Sequence, residues 1–290
     1  MKIEGIIPAL VTPFREDYSV DYEALEQLVE RLIGQGIGGF YACGSTAECF
    51  LLTEEERKKI LETVVRQVNG RVPVIAHIGD IGTQKSVELA RHAESVGASA
   101  VSSTPPFYFK FSTDEIAGYY ADISKAVELP LILYNIPALS GVELSVQSLG
   151  VLLNSCRVLG LKYTSYNLFE LERIHRAYPA LKLYNGHDEL YCNALPIGIT
   201  GAIGSTFNVM AGKYLAIRQD YEAGAMQAAS KRQSEVNALI DVLIQTGVNA
   251  GIKYLLTRSG ISCGDSRPPF RPLTAAQRGQ LDEIYEAVFR

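Results

Sequence analysis

A lysine closes the apolar run in "VLGLKYTSYN" (158–167), and a string of hydroxyl side chains follows it. A charge at the tip of a segment that reads as buried must be paired, reach water along its stem, or be held neutral, because burying it alone is costly. Position alone leaves two readings of Lys162 open. One is a stem packed on a rim with its ammonium in water. The other is a Schiff-base amine, since apolar surroundings disfavour the charged form and free a nucleophile for a ketone. The imine would then act as the electron sink for making or breaking a carbon–carbon bond.

Such chemistry needs a proton shuttle, because collapse of a carbinolamine moves protons on and off oxygen. Tyr134 ends the preceding apolar run, "LILYN" (131–135), where it is either that shuttle or a core tyrosine bonded to a backbone carbonyl. In "GSTAE" (44–48), Ser45 and Thr46 present two hydroxyls and two N–H groups in a glycine-turned loop, which suits a carboxylate; hydroxyls at a turn also serve as plain turn formers. The four histidines (His77, His92, His175, His187) form no H-E-x-x-H pattern, so no metal is expected. "GQGIGG" (34–39) spells a dinucleotide-binding fingerprint but leaves a helix and enters a strand, the reverse of the required context. It reads as a helix C-cap, and no nucleotide cofactor is expected.

The elements that must position these residues alternate along the chain. Short Val/Ile-rich runs, "GIIPALVT", "GGFYACGS", "VPVIAHIG", "ASAVSSTPP", "LPLILYN", "VLGLK", "LKLYNG" and "ITGAIGS", are each followed by a stretch of helical period, including "DELYCNAL" after the seventh. T-x-x-E and S-x-x-E capping boxes at Thr53/Glu56 and Ser112/Glu115 mark two helix starts. Near-continuous apolar strands fit a parallel sheet buried on both faces, and eight strand–helix units in succession predict a (β/α)8 barrel over 1–221. Helices over 222–290 form an extension packed on the barrel or a partner subunit. In such barrels the site forms at the C-terminal ends of the strands, where Lys162, Tyr134 and the "GST" loop all fall.

Composition agrees with one folded unit. Hydrophobic residues make up 47% and charged residues 20% of the 290 residues, and the net charge of -5 comes without a basic cluster that would serve nucleic acid. Five scattered cysteines with no C-x-x-C pair suit a reducing cytoplasm. Glu4 and Pro8 interrupt the N-terminal apolar stretch, which makes a poor secretory signal, and no run reaches the ~18 apolar residues of a membrane span.

With these motifs in order, the sequence resembles the pyruvate-dependent class I aldolases of the dihydrodipicolinate synthase superfamily. "GSTAECFLLT", "YNIPALSGV", "GLKYTS", "LYNGHDEL" and "GAIGSTFN" carry the resemblance, which spans essentially the whole chain. It implies that Lys162 forms the Schiff base, that Tyr134 shuttles the proton, and that Ser45 and Thr46 bind the pyruvyl carboxylate and connect to that tyrosine. It implies further that Tyr108 of "PPFY" completes the site of a neighbouring subunit in a homo-oligomer, a tetramer, and that Thr164, Gly186, Asp188, Glu189 and Ser205 hold the sugar part of a substrate.

Within the family the branch acting on sialic acid is implied, with reversible cleavage of N-acetylneuraminate to N-acetylmannosamine and pyruvate. The synthase branch carries an arginine after "YN-P" to hold a second carboxylate, whereas this chain reads "PALSG" with Leu139. The alternatives are that synthase activity, another 2-keto-3-deoxy sugar acid aldolase, or an idle barrel that binds a keto acid. Two positions depart from the lyase pattern. Ala47 replaces the second glycine of "GSTGE", which would strain the loop if that position needs a positive φ, and Asn249 stands where an aromatic is expected near the sugar's tail.

Overall fold

The computed structural model describes residues 2–289. Its strands β1 (Gly5–Pro8), β2 (Phe40–Ala42), β3 (Val74–His77), β4 (Ala100–Ser103), β5 (Leu131–Asn135), β6 (Val158–Tyr163), β7 (Lys182–Asn185) and β8 (Gly201–Gly204) form one parallel sheet. β1 pairs with β8, and the ring closes where Ala9 bridges Tyr41 and the Leu10 N–H donates to the Tyr41 carbonyl at 3.0 Å. The architecture is a (β/α)8 barrel.

Helices α1 (Tyr22–Gly34), α2 (Glu54–Val68), α3 (Thr83–Ser95) and α4 (Thr113–Ala126) follow the first four strands. α2 and α4 begin at complete capping boxes on Thr53/Glu56 and Ser112/Glu115, as their sequences predict. α1 turns Leu25, Leu28, Val29 and Leu32 inward at helical spacing, then gives way to Gly36 (φ 82) and Gly39 (φ 157), so "GQGIGG" is a helix exit. The single-turn α5 (Pro137–Ser140) precedes α6 (Val146–Ser155), and α7 (Leu168–Ala177) follows β6.

The seventh unit departs from the regular helix its sequence predicts. "DELYCNAL" breaks into a 3-10 turn at Asp188–Leu190, the four-residue α8 (Tyr191–Ala194) and a second 3-10 turn at Leu195–Ile197. Pro196 lacks the N–H to continue an α-helix, and Gly198 (φ 94) turns the chain back toward β8. After β8 come α9 (Phe207–Glu222), α10 (Met226–Thr246), α11 (Val248–Arg258) and α12 (Ala275–Phe289), with α10 against α9 and α12. No single helix among the described residues is long and apolar enough to cross a membrane.

The two faces of the strands build two cores. Phe40, Ala42, Leu131, Leu133, Leu161 and Tyr163 pack outward against the helices, while Tyr41, Ile132, Tyr134, Tyr184 and Ile203 fill the barrel. One irregularity sets which side Lys162 takes relative to the start of its strand. Leu131 pairs with Val158 but Ile132 with Gly160, so Leu159 is an extra residue in β6. Strict alternation would put Leu159 and Leu161 on one face; the bulge leaves Leu159 against the interior cluster, Leu161 in the outer core and Lys162 inside. Gly160 at the bulge is obligatory, because a Cβ there would lie 2.4 Å from the Lys182 carbonyl oxygen.

Candidate active site

β5, β6 and β7 present three inward residues in register, Tyr134 beside Lys162 and Lys162 beside Tyr184. Lys162 is only 5% exposed, so the reading with its ammonium in water does not hold. Its Nζ lies 3.9 Å from the centroid of the Tyr134 ring and 4.6 Å from that of Tyr41. Two aromatic faces thus replace water around the amine, and no carboxylate among the described residues forms an ion pair with it. Tyr41 was not singled out by the sequence, although the inward position it takes in "FYA" follows from period-2 alternation.

The Tyr41 hydroxyl donates to the Ser102 hydroxyl at 3.0 Å, which fixes that ring. His77 closes the same wall, its ring 6.1 Å from Tyr134 and its Nδ1 at 3.0 Å from the Cys43 carbonyl. Burial, reinforced by the nearby Arg57 guanidinium, pushes His77 well below the usual imidazole range. It is a neutral neighbour of the amine.

The "GST" loop forms a 3-10 turn over Ser45–Ala47. The Thr12 hydroxyl donates to the Ala47 carbonyl at 2.9 Å, and Thr46 shares a 2.6 Å hydrogen bond with Ser205 from the loop after β8. Among the described residues no hydrogen bond links this loop to Tyr134; the Thr46 hydroxyl is bonded to Ser205 instead. Ala47 carries no strain. The left-handed residue is Glu48 (φ 59, ψ 37), an arrangement that costs a non-glycine residue about 1–2 kcal/mol.

What holds Glu48 there is a fully buried ion pair. Lys253 of α11 reaches its Oε1 at 2.6 Å with both side chains at 0% exposure, and the Arg267 N–H donates to its Oε2 at 2.8 Å. Deleting one partner of such a pair costs about 3–5 kcal/mol, more than the backbone strain it offsets. Sequence reading found Glu48 only as a letter of the motif, because its partner lies 205 residues away.

The sugar-side candidates converge at the ends of β6, β7 and β8. The Thr164 N–H donates to the Asn135 carbonyl at 2.9 Å while its hydroxyl is buried without a hydrogen bond among the described residues. Gly186 must lack a side chain, since a Cβ would sit 1.9 Å from that hydroxyl. Asp188 is buried, its Oδ2 accepting from the Thr206 N–H at 2.8 Å and hydroxyl at 2.7 Å, while Oδ1 has no partner among the described residues and faces Gly204. Glu189 accepts from the Tyr166 hydroxyl at 2.8 Å and lies 3.0 Å from His187 Nδ1, and Tyr166 stacks on His187 at 4.2 Å. Burial raises Glu189, but His187, its own backbone N–H and Tyr166 outweigh burial and hold it below the usual carboxylate range.

Asp188 shifts the other way, from 3.8 up to about 6, because burial outweighs its two bonds from Thr206. A carboxyl whose pKa rises on folding favours the folded state at low pH and loses that contribution as pH rises from about 4 through about 6. The loss amounts to about 3 kcal/mol. Asp188→Asn removes the titration while its amide oxygen can still accept from Thr206. Its stability relative to the native chain is therefore expected to improve between pH 4 and pH 7, read as thermal midpoints across that range; midpoint curves that stay parallel would contradict it.

Two candidates lie outside this cluster. Tyr108 (φ 76) is 84% exposed with its ring 5.0 Å from Phe109, so it does not enter the site of its own chain. Asn249, in the first turn of α11, lines a cavity of about 390 Å³ with Phe270, Arg271 and Gln277 and none of the site residues. Leu139, 71% exposed, lies on the side of the carboxylate loop. It shares with Ser45, Phe50, Thr104, Phe107 and Ile136 the wall of a cavity of about 290 Å³.

Comparison with known proteins gives matches over essentially the whole chain. The dihydrodipicolinate synthetase family model matches residues 2–288. The N-acetylneuraminate lyase of Citrobacter koseri is 42% identical over 290 residues, covering 99% of this chain and 98% of that protein. Among solved structures, Clostridium difficile CdNal in complex with mannosamine superposes with a TM-score of 0.97 at 32% identity over 100% of both chains. A dihydrodipicolinate synthase of Bacillus anthracis reaches 0.96 at 28% identity over 100% of both.

Proposed function

The chain belongs to the dihydrodipicolinate synthetase family, and we propose that it is the Schiff-base aldolase that cleaves N-acetylneuraminate reversibly to N-acetylmannosamine and pyruvate. It is a carbon–carbon lyase. The observation that carries the reading is the Lys162 amine, 5% exposed inside the barrel and set against the rings of Tyr134 and Tyr41. The two superpositions fit almost equally well, so shape does not choose between the family's branches. Leu139 does: an apolar side chain on the cavity wall cannot clamp a second carboxylate as arginine would.

Ser45 and Thr46 receive the substrate carboxylate, which places the adjacent ketone over Lys162. The neutral amine adds to the ketone carbon, water leaves, and an iminium remains. The C4 hydroxyl gives up its proton, the C3–C4 bonding pair flows into the iminium, and N-acetylmannosamine departs as the aldehyde. The enamine left on Lys162 takes a proton at C3, and water hydrolyses the resulting imine to pyruvate and free amine. Tyr134 relays the protons to and from oxygen.

Asp188 and Glu189 accept hydrogen bonds from the sugar hydroxyls, the unpaired Oδ1 of Asp188 and the unpaired Thr164 hydroxyl being the deepest partners on offer. Gly186 lets the Thr164 hydroxyl take its place beside the sugar, and Ser205 holds the carboxylate loop through Thr46. Tyr108 projects outward and completes the relay of a neighbouring subunit in a cytoplasmic homotetramer.

Purified protein given N-acetylneuraminate is expected to release pyruvate, followed as NADH consumed by coupled lactate dehydrogenase. Condensation of pyruvate with aspartate semialdehyde, and no release from N-acetylneuraminate, would favour the synthase instead.

A further inference from the structure

The carboxylate loop does not hold its own shape. Its last residue, Glu48, is left-handed and buried, and both of its carboxylate oxygens are satisfied by the C-terminal extension: Oε1 by Lys253 Nζ at 2.6 Å, Oε2 by the Arg267 N–H at 2.8 Å. Lys253 is entirely enclosed, its Nζ 4.0 Å from the Phe14 ring centroid and 3.4 Å from the Asp265 carbonyl, and among the described residues only Glu48 forms an ion pair with it. Arg267 is itself tied to the Tyr18 and Leu51 carbonyls and to Glu56. The Glu48 backbone N–H in turn donates to the Ser45 carbonyl at 3.0 Å, and Glu48 and Ser45 line the same cavity.

We propose that Lys253 is a positioning residue for substrate recognition: by holding and neutralising Glu48 it sets Ser45 and Thr46 to receive the substrate carboxylate. This rests on the aldolase reading above. Two physical effects act together. The pair fixes the turn that aims the loop's hydroxyls and N–H groups, and it cancels a carboxylate charge beside the place where another carboxylate must bind. The helical extension is thereby part of the binding apparatus. A purely structural pair would instead stabilise the fold and leave ligand preference alone.

Imine trapping by borohydride separates the two roles when pyruvate is compared with hydroxyacetone, a ketone of similar size that lacks the carboxylate. Lys253→Met keeps the stem and removes the charge. It is expected to need roughly tenfold more pyruvate for half-maximal trapping while its response to hydroxyacetone is unchanged. Adding Glu48→Gln is expected to return pyruvate toward the native value, since the amide is uncharged and its oxygen can still accept from the Arg267 N–H.

An equal shift for both ketones, or no shift for pyruvate in the folded variant, would overturn the proposal. If Lys253→Met does not fold, Glu48→Asp carries the same test, because it keeps both charges and shortens the link by one methylene; it too must weaken pyruvate selectively. Failure of the native chain to trap pyruvate would overturn the aldolase reading and this inference together. Trapping in the native chain with no selective shift overturns this inference alone.

Discussion

Lys162→Met is expected to abolish both pyruvate release from N-acetylneuraminate and the reduced pyruvyl adduct seen by mass spectrometry after borohydride, leaving the protein folded. The amine is the covalent catalyst in the proposed sequence, and no other lysine shares its place inside the barrel: Lys253, the other buried one, is consumed by Glu48. A thioether cannot form an imine, so the loss is of the whole covalent route and turnover should fall to background.

Stability should not follow activity. The Lys162 amine sits against two aromatic rings, and no carboxylate among the described residues pairs with it, so burial of this polar end is only partly offset by the ring contacts. Methionine conserves most of the stem's volume and removes that buried polar end, which predicts a thermal midpoint at or above the native one. A residual adduct on Lys162→Met would mean that the nucleophile lies elsewhere. A lost adduct with a collapsed midpoint would leave folding to blame, and trapping by the folded Lys162→Arg chain would then decide.

Much of the barrel is legible because its signals are local. Helix starts at Thr53 and Ser112 are written within four residues, and parallel strands announce themselves as short apolar runs. Lys162 and Tyr134 could be paired from topology, since consecutive parallel strands of a barrel are neighbours, and the register places them side by side. The inward turn of Lys162 was less accessible. It follows from the bulge at Leu159, which resets the alternation within β6 and has no local signature apart from Gly160.

The loop's mechanics were hidden for a different reason. The departure at Ala47 suggested backbone strain there, yet the left-handed conformation falls on Glu48, where a charge pair from α11 can hold it. Contacts such as Glu48 with Lys253 and Thr46 with Ser205 join segments far apart in the chain. A single sequence offers no pattern that pairs them. The fractured seventh helix was likewise missed because "DELYCNAL" has helical composition while the proline that stops it lies beyond the segment.

Tyr134→Phe separates the proton relay from the scaffold. The substitution keeps the ring that contacts Lys162 Nζ at 3.9 Å and that packs edge-on against Tyr41 at 6.2 Å, and it removes one oxygen atom. If the phenol relays the protons of carbinolamine formation and C4–OH deprotonation, kcat should fall about 10²–10⁴-fold, the usual worth of a positioned acid–base group. KM should change little, because the carboxylate and the sugar are held by other residues. Borohydride should still trap pyruvate on Lys162 to the same final extent, only more slowly, since dehydration of the carbinolamine loses its acid while the nucleophile survives. A kcat close to native would assign the relay to the substrate's own carboxylate, the one other group that the proposed pose brings next to the C4 hydroxyl.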